Sequence, residues 1–216
     1  MNIIAGGGKY GCEAIEYHRK KEIDFILVDV DPQCLAVKKY DLKTRDNLIE
    51  RSESFILGDM KTILDLIQKS EFLYLFPTAP IHVAAELAKI KFNLIPWCEV
   101  IDMILAKIPP SIILRAGRGN LVVSFNRDKD CIDKCGTPKI CPSTGKNKPT
   151  TMDQLMRFAY PQGIFLESYQ MAPGMGALKI NEILDLFNRV EKEEKFVVAT
   201  TCDCHGVFSA FLKINH

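Results

Sequence analysis

No apolar run in this sequence is long enough to cross a bilayer. The longest uncharged stretch, Phe72 to Ala85, is 14 residues and holds Pro77 and Pro80, whereas a spanning helix needs about 20 apolar residues. Net charge is nearly absent too. Lys and Arg number 28 against 27 Asp and Glu, leaving +1, so no global field draws the chain to nucleic acid or to an anionic membrane. A peripheral membrane partner stays compatible with this balance. Met1 leads straight into Ile3, Ile4 and glycines, without the basic segment and long apolar core of a secretory signal, which points to the cytoplasm. There is no internal repeat and no low-complexity tract. What is present is ordinary globular composition, 47% hydrophobic and 25% charged over 216 residues, enough for one substantial domain with an appendage.

Short apolar runs alternate with helical spacing along the first half. Asn2–Ala5, Phe25–Val28, Ser54–Leu57 and Phe72–Phe76 read as buried strands, and Asn93–Trp97 as a fifth. Between them Cys12–Lys20, Leu35–Tyr40, Thr62–Lys69 and Ile81–Ile90 read as helices, Asp31-Pro32 capping the second. The alternation predicts a Rossmann-like, doubly wound parallel α/β sheet over residues 1–108. A cysteine-containing C-terminal extension, 109–216, follows and is expected to pack on or continue the sheet. In it, strands flank a hairpin at 115–120, a long polar loop runs from 126 to 150, and Gly163–Tyr169, Leu178–Val190 and Phe196–Thr201 read as strand, helix and strand. A loop of that length is normally functional or tied down. Pro173-Gly174-Met175-Gly176 reads as a tight strand-to-helix connection, with a second anion-binding turn as the alternative.

Gly6, Gly8 and Gly11 stand in G-x-G-x-x-G spacing directly after a strand and at the start of a helix. Glycine serves there for the tight turn, for close approach of backbone to a pyrophosphate, and for packing of helix on sheet. Free N–H groups at the helix start suit phosphate. Asp29 follows at the end of the second strand, placed to accept the ribose hydroxyls and to repel a 2′-phosphate, which favours NAD(H). A dinucleotide or adenine nucleotide is therefore the expected ligand.

Residues 1 to about 105 resemble the TrkA-N, or RCK, domain of potassium-transport regulatory subunits. The likeness runs through Ile3-Ile4-Ala5-Gly6-Gly7-Gly8-Lys9-Tyr10-Gly11, Val28-Asp29-Val30-Asp31-Pro32, Gly58-Asp59, the strand to Phe76 with Pro77 and Thr78, and Val83–Ala88. The resemblance implies phosphates on the glycine turn, ribose on Asp29, adenine beside Gly58 and Asp59, and a crevice lined by Pro77 and Thr78. It also implies a homodimer.

Eight cysteines are many for a reducing compartment, and five fall in two clusters: Cys131, Cys135 and Cys141, then Cys202 and Cys204. Clustered thiols there suggest metal or redox chemistry before structural disulfides. Four thiolates suit zinc or an iron–sulfur cluster, although the spacing matches neither the ferredoxin run nor paired C-x2-C hooks. A redox dithiol, or small buried hydrophobes, are the alternatives. His205 is the candidate catalytic proton carrier or a further ligand. Lys134, Lys139, Lys146 and Lys148 form a solvated face, or offset thiolate charge. Two functions follow: an NAD-dependent oxidoreductase whose cofactor works with a thiol-ligated centre, or a non-catalytic nucleotide sensor or, as the resemblance implies, a regulatory subunit of the potassium-transport type, with a structural zinc.

Overall fold

The computed structural model describes residues 1–44, 53–69 and 71–214. In chain order it begins β1 (Asn2–Ala5), α1 (Lys9–Lys21), β2 (Phe25–Asp29), α2 (Leu35–Tyr40), β3 (Ser54–Leu57), α3 (Met60–Lys69), β4 (Tyr74–Phe76) and α4 (Val83–Phe92). Next come β5 (Leu94–Pro96), α5 (Cys98–Leu105), β6 (Ile113–Gly117), β7 (Asn120–Ser124), α6 (Met152–Ala159) and β8 (Ile164–Glu167). The chain ends with β9 (Tyr169–Ala172), β10 (Met175–Lys179), α7 (Ile180–Val190), β11 (Lys195–Thr201) and β12 (His205–Lys213). It divides into two compact units: Met1–Lys91 with Ala177–Leu184, and Phe92–Gly176 with Asp185–His216. The sequence alone had placed its boundary at 108, after α5.

In the first unit the strands lie in the order β3-β2-β1-β4-β10. The first four are parallel, with Ile3 opposite Ile26 and Leu75, and β10 pairs antiparallel with β4 through Leu178 opposite Leu75. The architecture is mixed α/β, and both sheets of the chain are mixed where a parallel doubly wound sheet was expected. Continuous apolar runs explain the parallel part. Ile3, Ile4, Phe25, Leu27, Phe55 and Leu75 are fully buried, each worth about 1.5–3 kcal/mol when withdrawn from water. Helix α1 covers them with Cys12, Ala14, Ile15 and His18 at helical spacing. It ends at Glu22 in the left-handed region, after Arg19, Lys20 and Lys21, whose positive charges suit a helix C-terminus.

The second unit is built on a sheet of order β6-β7-β12-β11-β8, with β5 paired to β12. Only β8 and β11 run parallel; β12 is antiparallel to β11, β7 and β5. Strand β5 thus joins this second sheet rather than closing the first. Val100, Ile104, Met152, Met156, Val197 and Phe208 form its core beneath α5 and α6. Helix α6 had no counterpart in the sequence reading, although Thr151 and Gln154 complete a capping box at its start. Pro173-Gly174 turns β9 into β10, with Gly174 at φ +80°, so it links strand to strand and not strand to helix.

Candidate functional site

The glycine turn sits at the carboxyl end of β1, beside the end of β4. Gly6 has φ +114°, and a Cβ there would stand 3.0 Å from the Ala79 nitrogen. At Gly11 a Cβ would stand 2.1 Å from the Gly6 carbonyl oxygen, so helix and turn pack at backbone distance. Over Gly7 the obstacle is the Cys34 sulfur, 2.2 Å from where a Cβ would be. Gly8 differs from all three. Its φ is −77°, and apart from its immediate chain neighbours nothing among the described residues lies within 4 Å of its missing Cβ.

Asp29 closes the turn from β2. One carboxylate oxygen accepts the Gly7 N–H at 2.5 Å and the other the Asp31 N–H at 2.8 Å. Each oxygen keeps acceptor capacity, since a carboxylate offers about four lone-pair positions. Asp31 accepts the Gln33 N–H and so caps a turn, while α2 starts only at Leu35, later than an Asp31 cap would place it. Thr78 spends its hydroxyl on the turn, 2.7 Å from the Gly6 carbonyl, beside the half-buried Pro77. Asp59 accepts the Lys61 and Thr62 N–H groups at the start of α3, and Gly58 is pressed against Thr62. Lys9 and Tyr10 lie exposed on the first turn of α1, the Lys9 ammonium 5.7 Å from the Tyr10 ring centre.

In the second unit the tip of the β11–β12 hairpin meets the 126–150 loop. Cys202, Asp203 and Cys204 form the tip, closed by the Cys202 N–H on the His205 carbonyl at 3.0 Å. The loop is ordered by its own pairing: Ile140 bridges Asn147, and the Cys141 N–H bonds the Lys146 carbonyl. Its other arm is pinned where the Cys135 carbonyl accepts from the Gly174 N–H and the Gln170 amide.

These contacts bring both cysteine clusters to one place. Cys131 Sγ is 3.5 Å from His205 Nε2, and Cys202 Sγ is 3.7 Å from His205 Nδ1. Lys148, only 7% exposed, donates to Cys204 Sγ and to the Thr137 carbonyl, both at 3.0 Å. Cys135 and Cys202 lie close enough to Cys204 to disfavour its ionisation. Burial pushes the Cys202 and Cys204 thiols up, opposed at Cys204 by Lys148. Cys141 goes the other way: the Thr144 hydroxyl, neighbouring backbone N–H groups and the Lys148 charge hold its thiol below the ordinary value. Burial first, then Lys148, pushes the His205 imidazole below its ordinary value.

Sequence reasoning assembled the thiols but left Lys148 on a solvated face as its first alternative. It missed Asn126, buried beside Cys131 with its amide nitrogen 3.4 Å from that sulfur. No spacing signal marked Asn126, because the contact spans a loop. The donor types suit zinc or an iron–sulfur cluster, yet the cation at the centre is the Lys148 ammonium. Among the described residues no group of three or more His, Cys, Asp or Glu is arranged to hold a metal ion.

Fold and sites define a mixed α/β protein of two units, one bearing a glycine turn beside an acidic strand end, the other a cluster of thiols about a buried lysine. Two family models match it end to end: one described as the N-terminal domain of an uncharacterized protein, over residues 1–83, and one as its C-terminal domain, over residues 84–214. The chain belongs to the family these paired domains define. A relative in Archaeoglobus fulgidus, named an uncharacterized protein, is 46% identical over 212 residues, covering 97% of this chain and 98% of its own length. No solved structure matches. These matches overturn the resemblance to the TrkA-N or RCK domain, for which no family match is found. The glycine and acid pattern, the Gly-Asp pair and the strand-helix alternation that carried that likeness are common to many parallel α/β sheets. The potassium-transport reading falls with it.

Proposed function

We propose that this protein binds NAD(H) at the glycine turn of its first unit and serves a redox function. Gly8 is the observation that carries the reading. Gly6 needs glycine for its positive φ, and Gly7 and Gly11 for their close neighbours; Gly8 has an ordinary φ and open space around it. A ligand backed against the turn supplies the missing reason, since the middle glycine of the pattern is where backbone and pyrophosphate approach. The order β3-β2-β1-β4 is that of a Rossmann-type half, and the turn lies at the strand ends where such sheets bind ligands. Gly8 caps the 13-residue α1 with no side-chain hydrogen bond, and a helix N-terminus favours phosphate through its dipole.

Asp29 supplies the second contact, accepting the ribose hydroxyls while its backbone bonds hold the carboxylate in place. The thiol cluster of the second unit is what makes the role redox rather than purely regulatory. Titration calorimetry with NAD+, NADH, NADP+, NADPH and ATP tests the reading on the wild type, Gly8→Val and Asp29→Ala. Expected is saturable binding of NAD+ or NADH, weakened at least about tenfold in both variants, or about 1.4 kcal/mol. No binding of any nucleotide, or equal affinity in Gly8→Val of native far-ultraviolet circular dichroism, overturns it.

A further inference from the structure

We propose that Cys131 is the nucleophile, and His205 its base, of a thiol–disulfide exchange site in the second unit, and that the site takes a low-molecular-weight disulfide. Cys131 is exposed to solvent, so a small disulfide reaches it directly. Its sulfur stands 3.5 Å from His205 Nε2 and accepts the Asn126 amide at 3.4 Å. A nucleophile and base within reach, with the base oriented by a third group, is the arrangement that activates cysteine. The third group here is Cys202: its sulfur is 3.7 Å from His205 Nδ1 and also accepts the His205 backbone N–H at 3.4 Å. With Nδ1–H directed at Cys202, the Nε2 lone pair faces Cys131.

The base is held on a rigid element. His205 opens β12, where it pairs with Ser124 of β7. Desolvation, then the Lys148 charge, holds its imidazole below the ordinary histidine value. Asn126 gives a second, independent sign of a ligand. It is 7% exposed, and its side-chain oxygen has no hydrogen-bond partner among the described residues. Buried acceptors without partners are rare, and this one adjoins the reacting sulfur.

The step balances. His205 Nε2 takes the Cys131 proton, and the thiolate attacks one sulfur of R–S–S–R′. A Cys131–S–S–R bond forms as the S–S bond of the ligand breaks, R′–S⁻ leaves with the electron pair, and the imidazolium returns the proton to it. Cys131 is oxidised and R′ reduced, the disulfide itself being the oxidant. Cys202, on the other ring nitrogen of His205, is a further thiol of the same cluster. A disulfide rather than an acyl or alkyl ligand fits this concentration of further thiols.

The proposal rests on residues of the second unit alone, so it can fail while nucleotide binding holds, and the reverse. The test uses the reduced full chain with 5,5′-dithiobis(2-nitrobenzoic acid) as the probe, following release of the aryl thiolate by stopped flow and locating the adduct by peptide mass. Cys98, the other exposed thiol, is the internal standard. Expected is a fast phase assigned to Cys131, at least about tenfold faster than Cys98, absent in Cys131→Ser. In His205→Gln and His205→Asn that phase slows by roughly 10²-fold, as loss of a general base does, while the Cys98 rate stays fixed and reports an intact fold. An adduct found instead as a disulfide from Cys131 to another cluster cysteine supports the proposal equally. Cys131 reacting no faster than Cys98, no effect of either His205 variant, or bound zinc or iron that shields Cys131 and Cys202 in the purified protein would overturn it.

Discussion

The ammonium of Lys148 lies 3.0 Å from the sulfur of Cys204, inside the second unit, and the same ammonium donates to the Thr137 carbonyl. A buried lysine is stable only when its charge is met by acceptors. Here a carbonyl from the loop and a thiol from the hairpin tip meet it, so one side chain fastens the 126–150 loop to the β11–β12 turn. The pairing lowers the cost of a thiolate at Cys204 against the burial that raises it.

Replacing Lys148 with Met keeps the stem and removes the donor. The Thr137 carbonyl and the Cys204 sulfur then lose a partner, at a cost of about 1–3 kcal/mol. Urea unfolding should show a lower midpoint for Lys148→Met, and alkylation of Cys204 in the folded state should slow. An unchanged midpoint would mean that the lysine contributes nothing net to holding the loop.

Two glycines only three residues apart should respond oppositely. Gly11→Ala places a Cβ 2.1 Å from the Gly6 carbonyl oxygen, backbone against backbone, and should destabilise the first unit by more than about 1–3 kcal/mol, the usual cost of overpacking. Gly8→Ser meets open space and adds a side-chain cap to α1, so thermal stability should hold or rise by a few tenths of a kcal/mol. Nucleotide affinity should nonetheless fall in Gly8→Ser. Calorimetric melting with and without NAD(H) reads both effects at once.

Asp29 sets the expected choice between NAD and NADP. Asp29→Asn keeps an acceptor for one backbone N–H and removes the charge that repels a 2′-phosphate. The ratio of NADP+ to NAD+ affinity should therefore rise, by about tenfold if one unit charge near the phosphate is worth about 1.4 kcal/mol. A ratio that does not move would place the adenosine ribose elsewhere.

His18 gives the first unit a pH dependence of known sign. Its ring is fully buried, with Nδ1 2.7 Å from the Ala14 carbonyl and Nε2 3.0 Å from the Asn2 amide. Nδ1–H donates to the carbonyl, so Nε2 accepts from Asn2 and has no room for a second proton. Burial lowers the folded-state pKa below the ordinary 6.5, and the unfolded state binds the proton first. Stability from this group is complete above that ordinary value and is lost as pH falls through the folded one. His18→Gln should flatten the slope of unfolding free energy against pH in that acid range. An unchanged slope would assign the acid sensitivity to other groups.

Much of the first unit was legible because each signal there is local. Ile3-Ile4-Ala5 followed by glycines, and Phe25–Val28 followed by Asp29, declare strand, turn and helix within a few residues; β1 and β2 fall where periodicity put them, and α1 starts three residues earlier, at Lys9, taking Gly11 into the helix. Helix α2 shows the limit: Asp31-Pro32 carries a cap signature, but Asp31 spends its carboxylate on the Gln33 N–H and only a turn forms there. Helix α6 escaped because its apolar positions, Met152, Met156 and Ala159, are few and sit beside a polar loop. Strand β5 was seen as a strand but assigned to the wrong sheet, since apolar runs do not name their partners.

By itself the sequence determined the alternation of strands and helices, the glycine turn with its acid at the end of β2, and the gathering of five cysteines in two clusters. These depend on spacing along the chain, which backbone geometry reads directly. Only the tertiary structure decided that the chain makes two mixed sheets and that Gly8 is a glycine without a neighbour. It also decided that Lys148, Asn126 and His205 stand among the thiols. Those facts join residues as far apart as Cys131 and His205, and such pairings are fixed by which strands share hydrogen bonds and which faces are buried together, a choice the spacing leaves open.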